Sequence, residues 1–313
     1  MGGEPRSRQL LLVKVETTYG TDSVPTAAAN ALQAVDPVVT PQADLLERRP
    51  ADATMGLNPA AVGARWVEVT FGVEVRGSGT LDVAPKGLGD ALQACGFTEA
   101  VNVAVDVTYL PESDPALLKS VTIYAYLAGR EHKITGCIGN VELVAAAGQH
   151  AQFNFTFQGI YIAPTAVAQP TPTFDTTIPP VVLSAAFDYK AITTLIVQQL
   201  QINMQNEIAR RDDVSASSGI KGFQLVDRAV IGSFNPEQEP LATHDPFADW
   251  VAGTTAALSM VIGSAAGNIW TITGPKLTYR TVPTADRNGI LIYDHEVQFG
   301  KDAGDDEVKL VHT

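Results

Sequence analysis

Ala128-Gly129-Arg130-Glu131-His132-Lys133-Ile134-Thr135-Gly136 and Ala266-Gly267-Asn268-Ile269-Trp270-Thr271-Ile272-Thr273-Gly274 read as two copies of one unit. Each begins Ala-Gly and reaches Ile-Thr-Gly after the same interval. Each is followed by a strand-like run between two glycines, Gly148 to Gly159 and Gly289 to Gly300, again at equal spacing. Only the turn between the two parts differs, by three residues, and insertions belong in turns. The copies thus span 128–159 and 266–300. Chance similarity between glycine-punctuated strands is the plainer explanation, but the flanking sequence also corresponds, which favours duplication.

Working outward, several runs alternate strictly. In 66–76, Val67, Val69, Phe71, Val73 and Val75 fall on one side, with Glu68, Thr70, Glu74 and Arg76 on the other. In 149–162, Phe153, Phe155 and Phe157 oppose Gln152, Asn154, Thr156 and Gln158. In 198–208, Leu200, Ile202, Met204 and Ile208 oppose Gln199, Gln201, Asn203, Gln205 and Glu207. A period of two predicts strands with one core face and one wet face. Further strands are expected at 9–16, 101–110, 121–127, 133–145, 221–234, 257–264, 269–281 and 289–300. Residues 32–49 are weakly strand-like and interrupted by Pro37 and Pro41. Residues 50–63 read as a long loop, and 210–219 as a charged one. A short helix is expected at 86–94, with Leu88, Ala91, Leu92 and Cys95 at helical spacing and Gly96 as its stop. A second starts at Asp245-Pro246, with Phe247, Trp250 and Val251 as its apolar side and Gly253 as its stop.

The order strand, long loop, strand, short helix, three strands therefore occurs twice. Residues 163–180 hold Pro164, Pro170, Pro172, Pro179 and Pro180, the composition of a stiff linker. The expected organisation is an arm at 1–30, a first domain at 31–163, a linker at 164–180, a second domain at 181–302 and an acidic tail at 303–313. The arm is expected to pack on its own domain or on a neighbouring subunit.

The composition, 45% apolar and 18% charged, is that of a globular protein. No run of 18 apolar residues predicts a membrane helix, and the apolar run 10–13 is too short for a secretory signal. The two cysteines, Cys95 and Cys137, fit no zinc or CxxC pattern and read as buried thiols in a reducing cytosol. The net charge is −13, from 21 basic and 34 acidic residues. Such a chain is not built to grip phosphates or an anionic membrane. Acidity does suit a surface past which DNA must move without sticking.

Catalytic patterns are not persuasive. Asp294-His295-Glu296 lies in a strand, so Asp294 and Glu296 would be wet while His295 faces the core as a satisfied structural histidine. Glu131-His132 reads as a solvated turn. Asp212-Asp213 and Asp305-Asp306-Glu307 lack the spacing of a calcium loop and read as solvated carboxylates. Gly77-Ser78-Gly79 completes neither a phosphate loop nor a nucleophile elbow. The Asn154-Phe155-Thr156 sequon sits in a strand. Aromatic residues do not interleave with basic ones, against a single-strand binding platform. The chain is therefore read as no enzyme, with no cofactor and no metal. What remains is polar sheet faces, which can line a wet channel if subunits close their sheets.

The segment Lys14-Val15-Glu16-Thr17-Thr18-Tyr19-Gly20-Thr21-Asp22, followed by Pro25-Thr26, resembles the opening of the tail tube (major tail) proteins of long-tailed phages. Residues 195–299 are similar to the tube domain: an alternating strand, a charged loop, Gly232, a short helix at 245–252, and Gly267 to Gly274 leading to a final strand. The first domain departs most, at Pro37, Pro41 and 98–118. The resemblance implies a mainly β fold of two tandem tail-tube-like sandwich or barrel domains, each with a short flanking helix. It implies rings stacked into a hollow tube through which DNA passes without tight binding. Most members use six single-domain subunits, so two tandem domains imply a trimeric, pseudo-hexameric ring. It implies a virion location after assembly in the host cytoplasm, with no membrane. The implied partners are other copies of the chain and tail proteins such as the tape measure, terminator and distal tail proteins.

By that analogy the lumen candidates are Glu68, Glu74, Asn154 and Thr156 in the first domain, and Gln201, Asn203, Gln205, Glu207, Asp294 and Glu296 in the second. The contact candidates lie in residues 1–30 and loops 50–64 and 209–220: Lys14, Tyr19, Asp52, Met55, Arg210, Arg211, Asp212 and Asp213. The alternatives are a secretion-system tube or other virion component, and a two-domain β-sandwich binding module, which would need an exposed aromatic platform.

Overall fold

Alternating strands must bury one face, and here they do so by pairing antiparallel throughout. The computed structural model describes residues 8–313 apart from 52 and 54. The first half holds β1 (Leu10–Val15), β2 (Ala31–Leu32), β3 (Ala34–Arg48), β4 (Asn58–Glu74), α1 (Leu88–Gln93), β5 (Phe97–Asn102), β6 (Asp106–Pro111), β7 (Val121–Leu127), β8 (Arg130–Ala146) and β9 (Gln152–Tyr161). After the proline-rich stretch come β10 (Ala186–Tyr189), β11 (Val197–Asn203), β12 (Asn206–Asp212), β13 (Ile220–Arg228), β14 (Ile231–Pro236) and α2 (Pro246–Ala252). The chain closes with β15 (Ala256–Ile262), β16 (Trp270–Thr281), β17 (Thr284–Arg287), β18 (Ile290–Tyr293), β19 (His295–Gly300) and β20 (Lys309–His312).

Two six-strand sets have the same order. In the first, β1, β7, β8, β9, β4 and β3 lie side by side. In the second, β10, β15, β16, β19, β14 and β11 do so. The quoted copies supply the central strands β8 and β16. Each carries one extra residue opposite the strand before it, β8 at 134–137 and β16 at 274–277, a bulge that bends and twists the sheet. A helix comes after β4 in one set and after β14 in the other. In the first set β2 pairs back onto β1, curling that set on itself.

The sets are stitched at two places. β11 pairs with the end of β8, beyond the end of β7 and on the same edge. At the other, β20 lies between β16 and β6, so residues 309–312 join the hairpin β5–β6 of the first half. One core cluster runs through both halves, from Val69, Phe71, Phe153, Phe155 and Phe157 to Phe234, Trp270 and Val297. Cys95 and Cys137 are buried in it as free thiols.

Several strand expectations are corrected. The run 198–208 splits into β11 and β12 where Gln205 takes φ 49°. Residues 101–110 form the hairpin β5–β6, turning at Ala104 with φ 59°. Residues 221–234 divide between β13 and β14, and 289–300 between β18 and β19. In 101–110, 198–208 and 289–300 alternation continues through the break and hides it, whereas in 221–234 the apolar phase shifts across Asp227 and Arg228, from Phe223 and Leu225 to Val230 and Phe234. The loop expected at 50–63 is shorter, because β4 begins at Asn58. The loop expected at 210–219 starts later, because β12 runs to Asp212. β3 runs through Pro37 and Pro41. Among the described residues no strand covers its outer edge, the position where a missing N–H is tolerated. Residues 10–15 lie within the sheet, with Leu11 and Val13 buried on one face and Leu10 and Leu12 on the other.

Candidate functional site

Directly opposed residues of an antiparallel sheet share a face, so the register defines what each face carries. One row crosses six strands as Glu74, Gln152, Val144, Gln201, Ser233 and Glu296, ending on Thr281 of β16. Another runs Val35, Gly72, Asn154, Glu142, Asn203, Ile231, Gln298 and Thr278. Between them lies the row Val73, Phe153, Leu143, Ile202, Gly232 and Val297, in which every apolar side chain is buried. A single polar face therefore continues from the first half into the second.

That face brings together Glu68, Glu74, Asn154, Thr156, Gln201, Asn203 and Glu296. Glu68 and Thr156 sit on it opposite Gln158 and Thr70. Gln205 is exposed in the break after β11, Glu207 lies in the separate hairpin β12–β13, and Asp294 is exposed between β18 and β19. Asn140, Glu142 and Ser233 also belong to the face, beyond the candidates named from the sequence. The alternation Asn140, Glu142, Val144 is the signal that points to the first two. The lining is mostly amide and hydroxyl. Glu74 is paired with Arg76 at 2.9 Å and Glu296 with Arg280 at 2.6 Å.

The joint between the halves has its own chemistry. Beyond the β8–β11 ladder, the Asn206 side-chain amide donates to the carbonyls of Cys95 (2.8 Å) and Gly139 (2.9 Å). The Asn140 amide donates to the Asn203 side chain at 2.8 Å. The hairpin β12–β13 lies over the first half, where Ile220 and Phe223 bury against Ile138, with Trp66 and Ala64 packed alongside. Arg210 reaches Asp44 at 3.0 Å and sits over the Trp66 ring at 4.9 Å.

Tyr19 belongs to this joint. Its hydroxyl donates to the Gly136 carbonyl and accepts from the Phe223 N–H at 2.6 Å. Burial pushes its ionisation up to about 12. Its ring occupies the space a Cβ on Gly222 would take. The turn that presents Tyr19 is held by Glu16, which accepts from Ser120 (2.6 Å), Thr122 (2.8 Å), Gly20 N–H (2.7 Å) and Gly136 N–H (2.8 Å). Of the other contact candidates, Lys14 is half-buried in β1 opposite Thr122. Arg211 is exposed opposite Gly222, Asp212 is exposed, and Asp213 accepts from the Ser215 N–H in the turn. Met55 stands fully exposed at the β3–β4 tip. Asp52 lies outside the described residues.

Three readings of charged residues change. Glu131 is buried in β8, accepting from Tyr126 and pairing with Lys133, rather than solvated in a turn. Asp305 and Glu307 both pair with Arg228, and Glu307 is buried. They border a polar hollow of about 740 Å³. His295 faces the core as expected but is not satisfied. Neither ring nitrogen has a hydrogen-bond partner, and the ring packs against Tyr279, Phe234, Tyr293 and His244. Burial, reinforced by His244, pushes it down to about 3.

Among the described residues no group of three His, Cys, Asp or Glu side chains is placed to hold a metal, and no helix is long and apolar enough to cross a membrane. A family model described as phage tail tube protein matches residues 6–302. No curated protein matches the chain.

Proposed function

The chain belongs to the phage tail tube protein family, and from that premise we propose that three copies close a pseudo-hexameric ring whose continuous polar sheet face lines the channel for DNA. Membership makes the protein a structural component of a virion tail. The finer reading is that residues 31–163 and 181–302 act as two tube domains, each filling one of six equivalent places. What supports it is the repeated six-strand order, with one polar face running across both sets. The rings stack into a tube, assembled in the host cytoplasm, that meets the tape measure, terminator and distal tail proteins. No reaction is required.

Amides, hydroxyls and glutamates, of which Glu74 and Glu296 are paired with arginines, give a wetted wall with little for phosphate to bind. With a net charge of −13, the protein repels DNA at short range and releases no counterions on contact. Negative-stain electron microscopy of the purified protein is expected to show hollow tubes or threefold rings. Discrete single chains at high concentration would overturn this reading, as would tight binding to duplex DNA at physiological salt.

A further inference from the structure

Residues 239–255 cross the second half with little to hold them. Their backbone hydrogen bonds are local: Thr243 and His244 donate to Pro240, Asp249 to Asp245, Gly253 to Trp250 and Thr254 to Asp249. The segment includes α2, whose Phe247, Trp250 and Val251 face solvent. Inward it sends two polar side chains. His244 is buried, with Nε2 2.9 Å from the Tyr279 hydroxyl. Asp249 accepts from Lys190 on both carboxylate oxygens at 2.7 Å. Pro246 is buried with them, and the Phe247 ring makes an edge contact with Tyr293 at 5.7 Å.

Beneath the segment lies a closed aromatic box. His295 of β19 is fully buried there with both ring nitrogens unpartnered. Around it stand Phe234 of β14, Tyr279 of β16, Tyr293 of β18 and His244 of the segment above. The two imidazoles meet at 5.6 Å, nearly perpendicular at 85°, and His244 Nδ1 is also unpartnered. The titratable and charged groups facing the box are Tyr189 of β10 with Lys190 after it, Tyr279 and Tyr293, and Glu239, Asp245 and Asp249 of the segment. Lys190 occupies Asp249, and Asp245 caps α2 by accepting from the Ala248 N–H. Among the described residues no carboxylate bonds to either imidazole. A proton on either ring would therefore place an unpaired charge in the box.

We propose that residues 239–255 are an acid-released lid, which lifts when the imidazoles beneath it take up protons and leaves the strands of both halves folded. The segment can move as a unit because its backbone hydrogen bonds travel with it. The ties it breaks are the few inward contacts of His244, Asp249, Pro246 and Phe247. Lifting carries His244 into water and wets His295. Burial holds both imidazoles below the ordinary histidine value, His295 at about 3 with His244 as the second cause. The open lid thus binds protons that the closed one excludes. Its hold is complete above about pH 6.5 and weakens as pH falls. Local opening of this kind needs less free energy than unfolding of the strands. The device goes beyond the tube reading and does not depend on it.

Hydrogen exchange of the full chain, read by mass spectrometry and corrected for the pH dependence of intrinsic exchange, measures the opening. At pH 5 the usual carboxylates are still ionised, while that pH lies about 1.5 below the free histidine value, so His295 alone should raise the opening of 239–255 about 30-fold over pH 7. The amides of β4 should not change. His295→Phe keeps a ring in the box and should remove that factor. His244→Gln keeps a partner for Tyr279, and the double variant should open equally at pH 7 and pH 5. Lys190→Met, which loosens the lid without touching either imidazole, should raise opening at pH 7 and retain the acid response. A parent chain whose lid opens equally at both pH values would overturn the proposal, as would a double variant that keeps the response or a Lys190→Met variant that loses it. Opening of β4 together with the lid would also overturn it, by showing that acid unfolds the whole chain.

Discussion

Helices α1 and α2 come after matching strands in the two halves, yet only one of them is covered. On α1, Leu88, Ala91 and Leu92 are buried, beneath β1 and the hairpin β5–β6, whose Tyr109 and Glu99 reach Gly89. On α2 the buried residues are Pro246 and Asp249, with Lys190 clasping Asp249 at 2.7 Å. Phe247, Trp250 and Val251, the apolar side expected to pack, face outward, with Trp250 at 50% and Val251 at 80% exposure. The difference lies in the segment after each helix. The first half inserts β5–β6, whereas α2 leads almost directly into β15. The two halves therefore share a strand order and differ in what covers the outside.

Charge placed on each helix breaks the comparison most sharply. Leu92→Asp buries a carboxylate with no partner and is expected to cost at least about 4 kcal/mol. Trp250→Asp is expected to change the stability of the single chain by no more than about 0.5 kcal/mol, as surface substitutions do. Chemical denaturation measures both, and equal losses would contradict the difference in burial. The next largest effect is at Glu16, the buried carboxylate that holds the turn presenting Tyr19. Glu16→Ala leaves four donors without their acceptor and is expected to cost about 3 kcal/mol, since hydrogen bonds to a charged group are the strong ones. Loss of Tyr19 fluorescence changes on unfolding would locate the damage at the joint.

The two Ile-Thr-Gly glycines sharpen the comparison further. Gly136 has φ 61°, a left-handed conformation that an L-residue enters at a cost of about 1–2 kcal/mol. Gly274 is instead small for packing, since a Cβ there would meet the Phe299 ring at 2.6 Å. Alanine should destabilise at both places, but Phe299→Leu should restore stability only to Gly274→Ala. Recovery of Gly136→Ala by the same change would show that backbone strain is not its problem.

Acid separates the halves more gently. Burial and then His244 hold His295 down at about 3. Its contribution is complete above the unfolded histidine value of about 6.5 and is lost as pH falls toward the folded value. Asp90, in the first turn of α1, is pushed up to about 6 by burial and then by Glu99. Its contribution runs the other way: complete below the unfolded aspartate value of about 4, and lost as pH rises through 6. Acidification thus loads the second half and relieves the first. His295→Leu is expected to lower the pH midpoint of acid unfolding, and Asp90→Asn to flatten the change between pH 4 and 7. An unchanged midpoint in the leucine variant would remove His295 from the account.

The sequence makes the core face of β4, β9 and β11 legible because their alternation is strict, and both helices because their stops are glycines. The breaks at Gln205 and Ala104 are not legible, since neither residue signals a positive φ and the alternation runs on. Pro37 and Pro41 suggest interruption, whereas an edge strand tolerates them. On the polar face, Glu74, Asn154 and Gln201 could be read singly, but their union into one row depends on β8 meeting β11, a long-range pairing. Glu131 and Glu307 are misread for the same reason in part: Arg228 is remote in sequence from Glu307, and nothing local marks either as buried. Glu16 and Tyr19 stand in the motif that carries the family resemblance, and their structural work becomes visible only through Gly136 and Phe223.

The strand β20 has a consequence for the order of folding. Its pairing of Leu310 with Tyr109 joins residues separated by most of the chain. Contacts of such long sequence separation are slow to form, because loop closure comes before any gain from pairing. Until then β6 offers a bare edge that a second unfinished chain could capture. Refolding at high concentration should therefore yield misassembled aggregates that dilution suppresses, and the slowest refolding phase should report closure of β20 onto β6.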